Sequence, residues 1–388
     1  MAPPFINVPS SIQTFTPNTF SLMDNDDDDG STYEIDHESK YQFKTSAIIT
    51  CFHSLIDSNI LFISLLLITI IISFTALYYV IIVRILLEKI RRDIDDDDIK
   101  GKTIIITGAN QGIGAMVVRN LANRGARIIL LCRDMDKAHE IVNDILMANP
   151  IAELSVHHID LSSQASIRVC VNELLKLEPR IDCLINCASV AFIPGVEPTK
   201  SIDGYELHMA INYYGHFLLT FLLNERMKQT AKQYETIGKV INVVSILHRC
   251  GKIHMVNLNL DKSYTPFRAY SQSKLALMMA GREMAKQWKS SNIRVYNVDP
   301  GFSMTQSHYQ NLYPACRKIL TIFGWLIGFH SNTKAAEQIV RCVIDKQIVH
   351  QSGYYYRNGQ HVTPSTRALD DRMAQNLWAH TITVCNLL

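Results

Sequence analysis

The sequence predicts an α/β fold built on a doubly wound parallel sheet, and three features carry that expectation. Short β-branched runs alternate with helical stretches from residue 102 onward, and a glycine-rich turn joins the first run to the first helix. Tyr270 and Lys274 stand four apart at the start of a helical stretch, residues 267–288. Four residues make about one turn, so phenol and ammonium share a face. A phenol whose anion lies beside a positive charge is a proton donor. That spacing also occurs by chance in many helices, so its meaning depends on the rest of the chain.

Two segments precede the patterned region. Residues 1–58 carry Pro3, Pro4, Pro9 and Pro17, and five aspartates among positions 24–29. Such a composition cannot bury enough apolar surface to offset ordering, so a disordered acidic tail is expected. Residues 59–84 are an apolar stretch in which 60–83, 24 residues, hold no charge. At about 1.5 Å per residue this reaches roughly 36 Å, enough for a hydrocarbon core of about 30 Å, so one transmembrane helix is expected. Lys40 and Lys44 flank it on one side; Arg84, Lys89, Arg91, Arg92, Lys100 and Lys102 flank it on the other. The basic excess assigns the C-terminal part to the cytosol. Residues 85–100, with aspartates at 95–98, read as a charged juxtamembrane linker to a domain spanning 101–388. A net charge of +2 gives no nucleic-acid footprint, and nine scattered cysteines match no metal or redox spacing.

Residues 102–107 are a buried parallel strand by pattern, and they run into Thr107-Gly108-Ala109-Asn110-Gln111-Gly112-Ile113-Gly114 before a helix. Glycines there allow a tight turn and close approach to a pyrophosphate, which the helix N-terminus also favours. The backbone from Gly108 through Asn110, Gly112, Ile113 and Gly114 is therefore the expected phosphate site. A second strand, 127–132, follows on schedule. At its end an acidic side chain would hold a ribose 2′-hydroxyl; Cys132 stands there instead, followed by Arg133, whose fork suits a 2′-phosphate. NADP(H) is the expected cofactor. Further strands are expected at 154–159, 181–186, 238–244 and 293–298, with Asp160 placed to bond the adenine amino group. Regular alternation implies a Rossmann-type sheet with ligands at the carboxyl ends of its strands.

Thr107-Gly108-x-x-x-Gly112-x-Gly114, Asn186-x-Ala188, Asn212, Ser245, Tyr270-x-x-x-Lys274 and Pro300-Gly301 stand in the order and spacing of the short-chain dehydrogenase/reductase family. The resemblance covers about residues 100–358. Within the family, "NRGARIILLCRD" and "INYYGHFLLTFLL" are similar to the retinol dehydrogenase branch. Residues 353–378 are also similar to the WW domain-containing oxidoreductase, although no WW domain is present. The resemblance implies that Tyr270 exchanges a proton with the substrate oxygen and that Lys274 lowers its pKa and holds the nicotinamide ribose. It implies that Ser245 bonds the substrate oxygen and that Asn212 holds a water linking Lys274 to solvent. Asn186, Pro300 and Gly301 join the cofactor site on the same ground. Members of that branch are commonly membrane-anchored, with the endoplasmic reticulum as the expected membrane here, and family members often dimerise through helices beside the active site. Where the family has Asn-Asn-Ala-Gly, this chain has Asn186-Cys187-Ala188-Ser189, so Ser189 is expected to shift the nicotinamide ribose.

The substrate side is less determined. Residues 319–329 are apolar but too short to span a bilayer, leaving a core helix, a pocket wall or an interfacial segment. A helix is expected at 334–345, a last strand at 354–356 and a C-terminal helix at 366–387. Tyr213, Tyr214, His248 and His254 fall near the cleft and read as packing or loop residues. The substrate implied is a lipophilic alcohol or its aldehyde or ketone, whether retinoid-, steroid- or fatty-aldehyde-like. The alternative is a nucleotide-binding scaffold at a membrane with little turnover.

Overall fold

A computed structural model describes residues 60, 62–82, 99–301 and 331–387. The expected acidic tail, the linker up to residue 98 and the apolar stretch 319–329 lie outside them. The chain divides into two units, 1–92 and 93–388. In the first, the helix Phe62–Ile82 has 21 residues, a mean hydropathy of 2.6 and no buried side chain in its most apolar window. The hydroxyls of Thr69, Ser73 and Thr75 each donate to the carbonyl four residues back, so these three polar groups are met within the helix.

The second unit begins inside the stretch expected as linker: Ile99 is buried in the core beneath the first helix. Strands β1 (Thr103–Thr107), β2 (Arg127–Cys132), β3 (Leu154–His158), β4 (Cys183–Asn186), β5 (Gly238–Val243), β6 (Ile293–Asp299), β7 (Tyr355–Arg357) and β8 (Gln360–His361) form one sheet ordered 3-2-1-4-5-6-7-8. All neighbours are parallel except β7 and β8. Between them run α1 (Gly112–Asn123), α2 (Met135–Ala148), α3 (Gln164–Leu177), α4 (His216–Gln233), α5 (Pro266–Gln287), α6 (Asn332–Ile344) and α7 (Asp371–Val384). Alternating residues feed two cores. Ile104, Ile106, Ile128 and Ile185 pack with α1, α2 and α6; Ile105, Ile129, Leu184 and Val240 pack with α3, α4, α5 and α7. A sheet apolar on both faces explains why its central strands read as unbroken hydrophobic runs. The chain moves outward from β1 to β3 and then returns beyond β1 to β4, which opens a crevice at their carboxyl ends.

Three features depart from expectation. The C-terminal helix is broken: a 3-10 turn, Thr366–Leu369, precedes α7, and the Asp370 side chain caps α7 by accepting from Met373 N. Strand β8 returns antiparallel through Asn358 and Gly359, both at positive φ (53° and 72°), a two-residue hairpin in which those residue types are favoured. The helix before α4 passes from a short α turn, Leu207–Met209, through a π turn, Ala210–Gly215, that contains Asn212.

One polar row crosses the sheet just below its carboxyl ends, on the α4/α5 face. Asn186 donates to Thr220 Oγ1 and Asn242 Oδ1, both at 2.9 Å, and Asn242 donates to Asn297 Oδ1 at 3.4 Å. These asparagines are register partners on β4, β5 and β6. Helix α5 approaches the row at Gly281, where a Cβ would stand 2.2 Å from Asn297 Oδ1 and 2.6 Å from Asn242 Nδ2. Replacing Gly281 with Ala should lower stability by about 1–3 kcal/mol, as overpacking of a closed core does. Urea denaturation of the variant checks this, and an unchanged midpoint would contradict it.

Candidate active site

Helix α5 starts sharply because Thr265 caps it, accepting from Arg268 N at 3.2 Å, with Pro266 at its first position. Tyr270 lies in its first turns and Lys274 one turn on; both are buried, at 7% and 2% exposure. The Lys274 ammonium is 5.7 Å from the Tyr270 ring centre and donates to Val243 O, at the end of β5, at 2.9 Å. Ser245 follows that strand end, and its hydroxyl lies near the Tyr270 phenol. Burial pushes the phenol up to about 12, with Ser245 acting in the opposite direction, and pushes Lys274 down to about 8.

The residues between Tyr270 and Lys274 are structural in their own right. Ser273 donates to Tyr270 O at 2.8 Å and accepts from Asn212 Nδ2 at 3.0 Å. Gln272 donates to Leu258 O at 2.8 Å and accepts from His254 N at 3.3 Å, anchoring the long loop before α5. Asn212 also bridges Val190, accepting from its N and donating to its O, both at 2.9 Å. Its side chain therefore braces α5 against the loop after β4 and is not directed at Lys274. The Asn212 carbonyl faces His216 Nδ1 at 3.3 Å, and His216 Nε2 meets Thr107 Oγ1 at 2.9 Å. Burial drives His216 down to about 3, so it is neutral.

On the expected cofactor side, the glycine turn is tightly packed. Gly108 turns at φ +67°, and a Cβ there would strike Ala188 Cα at 2.7 Å. A Cβ on Gly114 would strike Gly108 O at 2.3 Å. Gln111 makes no side-chain cap, and no acid stands in the first turn of α1, so the N-terminal N–H groups of Gly112, Ile113 and Gly114 suit a phosphate. Thr107 Oγ1 accepts from Cys187 N and Ala188 N, tying this turn to the end of β4. At the end of β2, the buried Cys132 thiol lies near the backbone of Ala109 and Asn110 in the glycine turn, and burial raises its pKa to about 11. Asp134 is occupied in capping α2 through Lys137 N and in pairing with Lys137 Nζ at 2.5 Å, whereas Arg133 is exposed. Asp160 is partly committed, with one oxygen accepting from Ser162 N and Oγ. The Asn186 side chain belongs to the buried row and does not face the cleft, because its amide is taken by Thr220 and Asn242. Gly301 turns at φ +84° after β6 and donates to Asp299 Oδ1 at 3.0 Å.

Sequence reasoning missed several neighbours of Tyr270. The Ser189 hydroxyl lies near enough to the Tyr270 phenol to act against the upward push of burial, which a glycine at this position could not do. Phe192 packs against the Tyr270 ring with centres 5.0 Å apart and planes tilted by 43°, and the buried His208, paired with Glu206 at 2.7 Å, stands edge-on at 6.3 Å. Only the departure at Ser189 was visible as a signal in the sequence.

Residues 102–312 match the short chain dehydrogenase family. Retinol dehydrogenase 12 of Mus musculus is 35% identical over 280 residues, 72% of this chain and 85% of that protein. Retinol dehydrogenase 13 of Mus musculus is 33% identical over 293 residues, 74% of this chain and 85% of that protein. Among solved structures, an uncharacterised protein of Mycobacterium paratuberculosis is 27% identical at a TM-score of 0.59, covering 75% of this chain and 96% of its own. The NADP complex of Pseudomonas aeruginosa RhlG shares the fold at a TM-score of 0.54 and 22% identity, covering 67% of this chain and 95% of its own.

The buried lysine makes stability depend on pH. Folded Lys274 loses its proton near pH 8 rather than at the ordinary 10.5, so the unfolded chain holds more protons across that window and stability rises with pH through it. The stability difference between wild type and Lys274→Met, measured by urea denaturation without cofactor, should climb by on the order of 3 kcal/mol from pH 8 to 10.5. A difference that stays flat would contradict the buried, partly desolvated ammonium.

Proposed function

The chain belongs to the short chain dehydrogenase family, and we propose that it is a membrane-anchored, NADP(H)-dependent oxidoreductase interconverting a lipophilic alcohol and its aldehyde or ketone. The observation that carries this reading is the buried Tyr270 phenol with the Ser245 hydroxyl near it and the Lys274 ammonium beside it. In the reducing direction Tyr270, protonated at neutral pH, gives its proton to the carbonyl oxygen. Ser245 donates to the same oxygen as charge develops there. Lys274 stabilises the negative charge left on the phenol. A bound nicotinamide supplies or takes the hydride. The glycine turn, the N-terminus of α1, Lys274 and Pro300-Gly301 would hold it. Water is kept from the phenol by Phe192 and by burial.

Support for NADP(H) comes from the end of β2, where Asp134 is committed to Lys137 and Arg133 is exposed. Support for an anchor comes from the helix Phe62–Ile82, with its hydroxyls internally bonded, and from the basic flank at 84–102. On this reading residues 1–58 face the lumen and the catalytic domain faces the cytosol, where NADPH favours reduction. The relatives named as retinol dehydrogenases support a lipophilic substrate of retinoid, steroid or fatty-aldehyde type.

Membranes bearing the protein should consume NADPH when offered retinal, a ketosteroid or a long-chain aldehyde. Consumption of none, with NADPH bound, would favour the scaffold reading. Tyr270→Phe should abolish turnover while NADPH still binds; retained turnover would refute its role. Arg133→Ala should weaken NADPH binding and leave NADH nearly unaffected, and equal affinities in the wild type would rule out NADP(H) preference.

A further inference from the structure

Ser245 sits where β5 ends, and the loop after it has no strand to hold it. Its hydroxyl accepts from Leu247 N at 3.3 Å and opens the 3-10 turn Ile246–Cys250. What fixes its backbone is His248, wholly buried. The His248 backbone N–H donates to Ser245 O at 3.0 Å, and the Nδ1 of its ring donates to the same oxygen at 2.7 Å. On the other side of the ring, Nε2 accepts from Ser365 N at 3.2 Å. A carbonyl can only accept and an amide N–H can only donate, so these partners allow one form alone: a neutral ring with its proton on Nδ1. Tyr355 meets the ring edge-on at 5.1 Å, and its hydroxyl donates to Asp299.

Ser365 lies nearly 120 residues further along the chain, and its segment is laced to the Ser245 loop in both directions. Arg249 donates to Thr363 O at 2.6 Å, and Arg367 donates back to Gly251 O at 2.9 Å. From α5, Arg282 donates to Ala368 O at 2.5 Å, while Lys286 pairs with Asp371 at 2.6 Å. Helix α7 then lies along α5 and α4, with Trp378 edge-on to Phe217 at 4.9 Å and Tyr213 bonded to Thr381 at 2.6 Å.

We propose that residues 363–370 are a strap that sets the position of Ser245 through His248, which acts as a positioning residue by joining Ser245 O to Ser365 N. The C-terminal segment is thereby part of the active site through the position it gives Ser245. This rests on the oxidoreductase reading above. Because an error of about 1 Å in placing a reacting group can cost up to about 100-fold in rate, loosening this link should lower kcat more than it weakens binding.

The test uses the full chain in membranes. Ser365 has φ −66°, which proline adopts, so in Ser365→Pro the N–H that His248 accepts is replaced by the ring Cδ, which displaces the imidazole and breaks the link. Ser365→Ala is its control, since both variants lose the hydroxyl that accepts from Ala368 N. Relative to Ser365→Ala, Ser365→Pro should lower kcat at least about tenfold, with KM and NADPH affinity within about twofold. Equal kcat in the two variants, or a matching loss of NADPH affinity, would overturn the proposal. His248→Phe is read separately by hydrogen exchange: faster exchange in 246–251 and 363–370 together supports the strap, and a change in only one of them overturns it. A wild type without turnover would refute the oxidoreductase reading, and the exchange result would then still decide the strap.

Discussion

The ammonium of Lys274 is buried beside the phenol of Tyr270, with the Val243 carbonyl as its bonded partner. Placing a charge in such a site costs several kcal/mol, so the surrounding structure must hold both groups firmly. Helix α5 does so from every side. Thr265 fixes its start, Ser273 and Asn212 join it to the π turn, and Gln272 pins the preceding loop. Gly251 lets that loop lie against Ser271 O, where a Cβ would stand at 2.4 Å. In the pentapeptide from Tyr270 to Lys274 the two outer side chains lie together, and Gln272 and Ser273 between them lock the helix to its surroundings.

The same demand for rigidity explains the polar row in the sheet. Asn186, Asn242 and Asn297 would be poor choices for a parallel core if they were not bonded to one another and to Thr220. Thr107 extends the connection toward the cofactor side by accepting from Cys187 N and Ala188 N and meeting His216. The glycine turn, the end of β4 and the Asn212 turn are therefore one hydrogen-bonded unit. A change at any of these residues should be felt at the phenol through position rather than through charge.

Much of this could be read in the residues, for physical reasons. Buried parallel strands announce themselves as β-branched runs, and Gly108 and Gly114 stand where side chains cannot fit, so the sheet and the phosphate turn were legible. The pairing of Tyr270 with Lys274 followed from helical spacing, and Ser245 from the resemblance to the short-chain dehydrogenase/reductase family. What could not be read depends on contacts between distant segments. Nothing local tells that Asn186 turns inward, that Asn212 sits in a π turn, or that His248 reaches Ser365. The Asn358-Gly359 hairpin is different: its dipeptide is a strong turn signal that the expectation of a lone final strand passed over. The break before α7 was likewise signalled by Asp370, a good cap.

The central claim is that this chain moves hydride between a nicotinamide and a carbonyl carbon, with Tyr270 serving the oxygen. Deuterium transfer measures that step itself. Wild-type membranes would be given NADPH deuterated at C4, each stereoisomer in turn, together with retinal, a ketosteroid or a long-chain aldehyde, and the product alcohol analysed by mass spectrometry. The account predicts deuterium on the carbinol carbon from one stereoisomer only, and none when Tyr270 is replaced by Phe. Bound NADPH with no deuterium in any alcohol would contradict it.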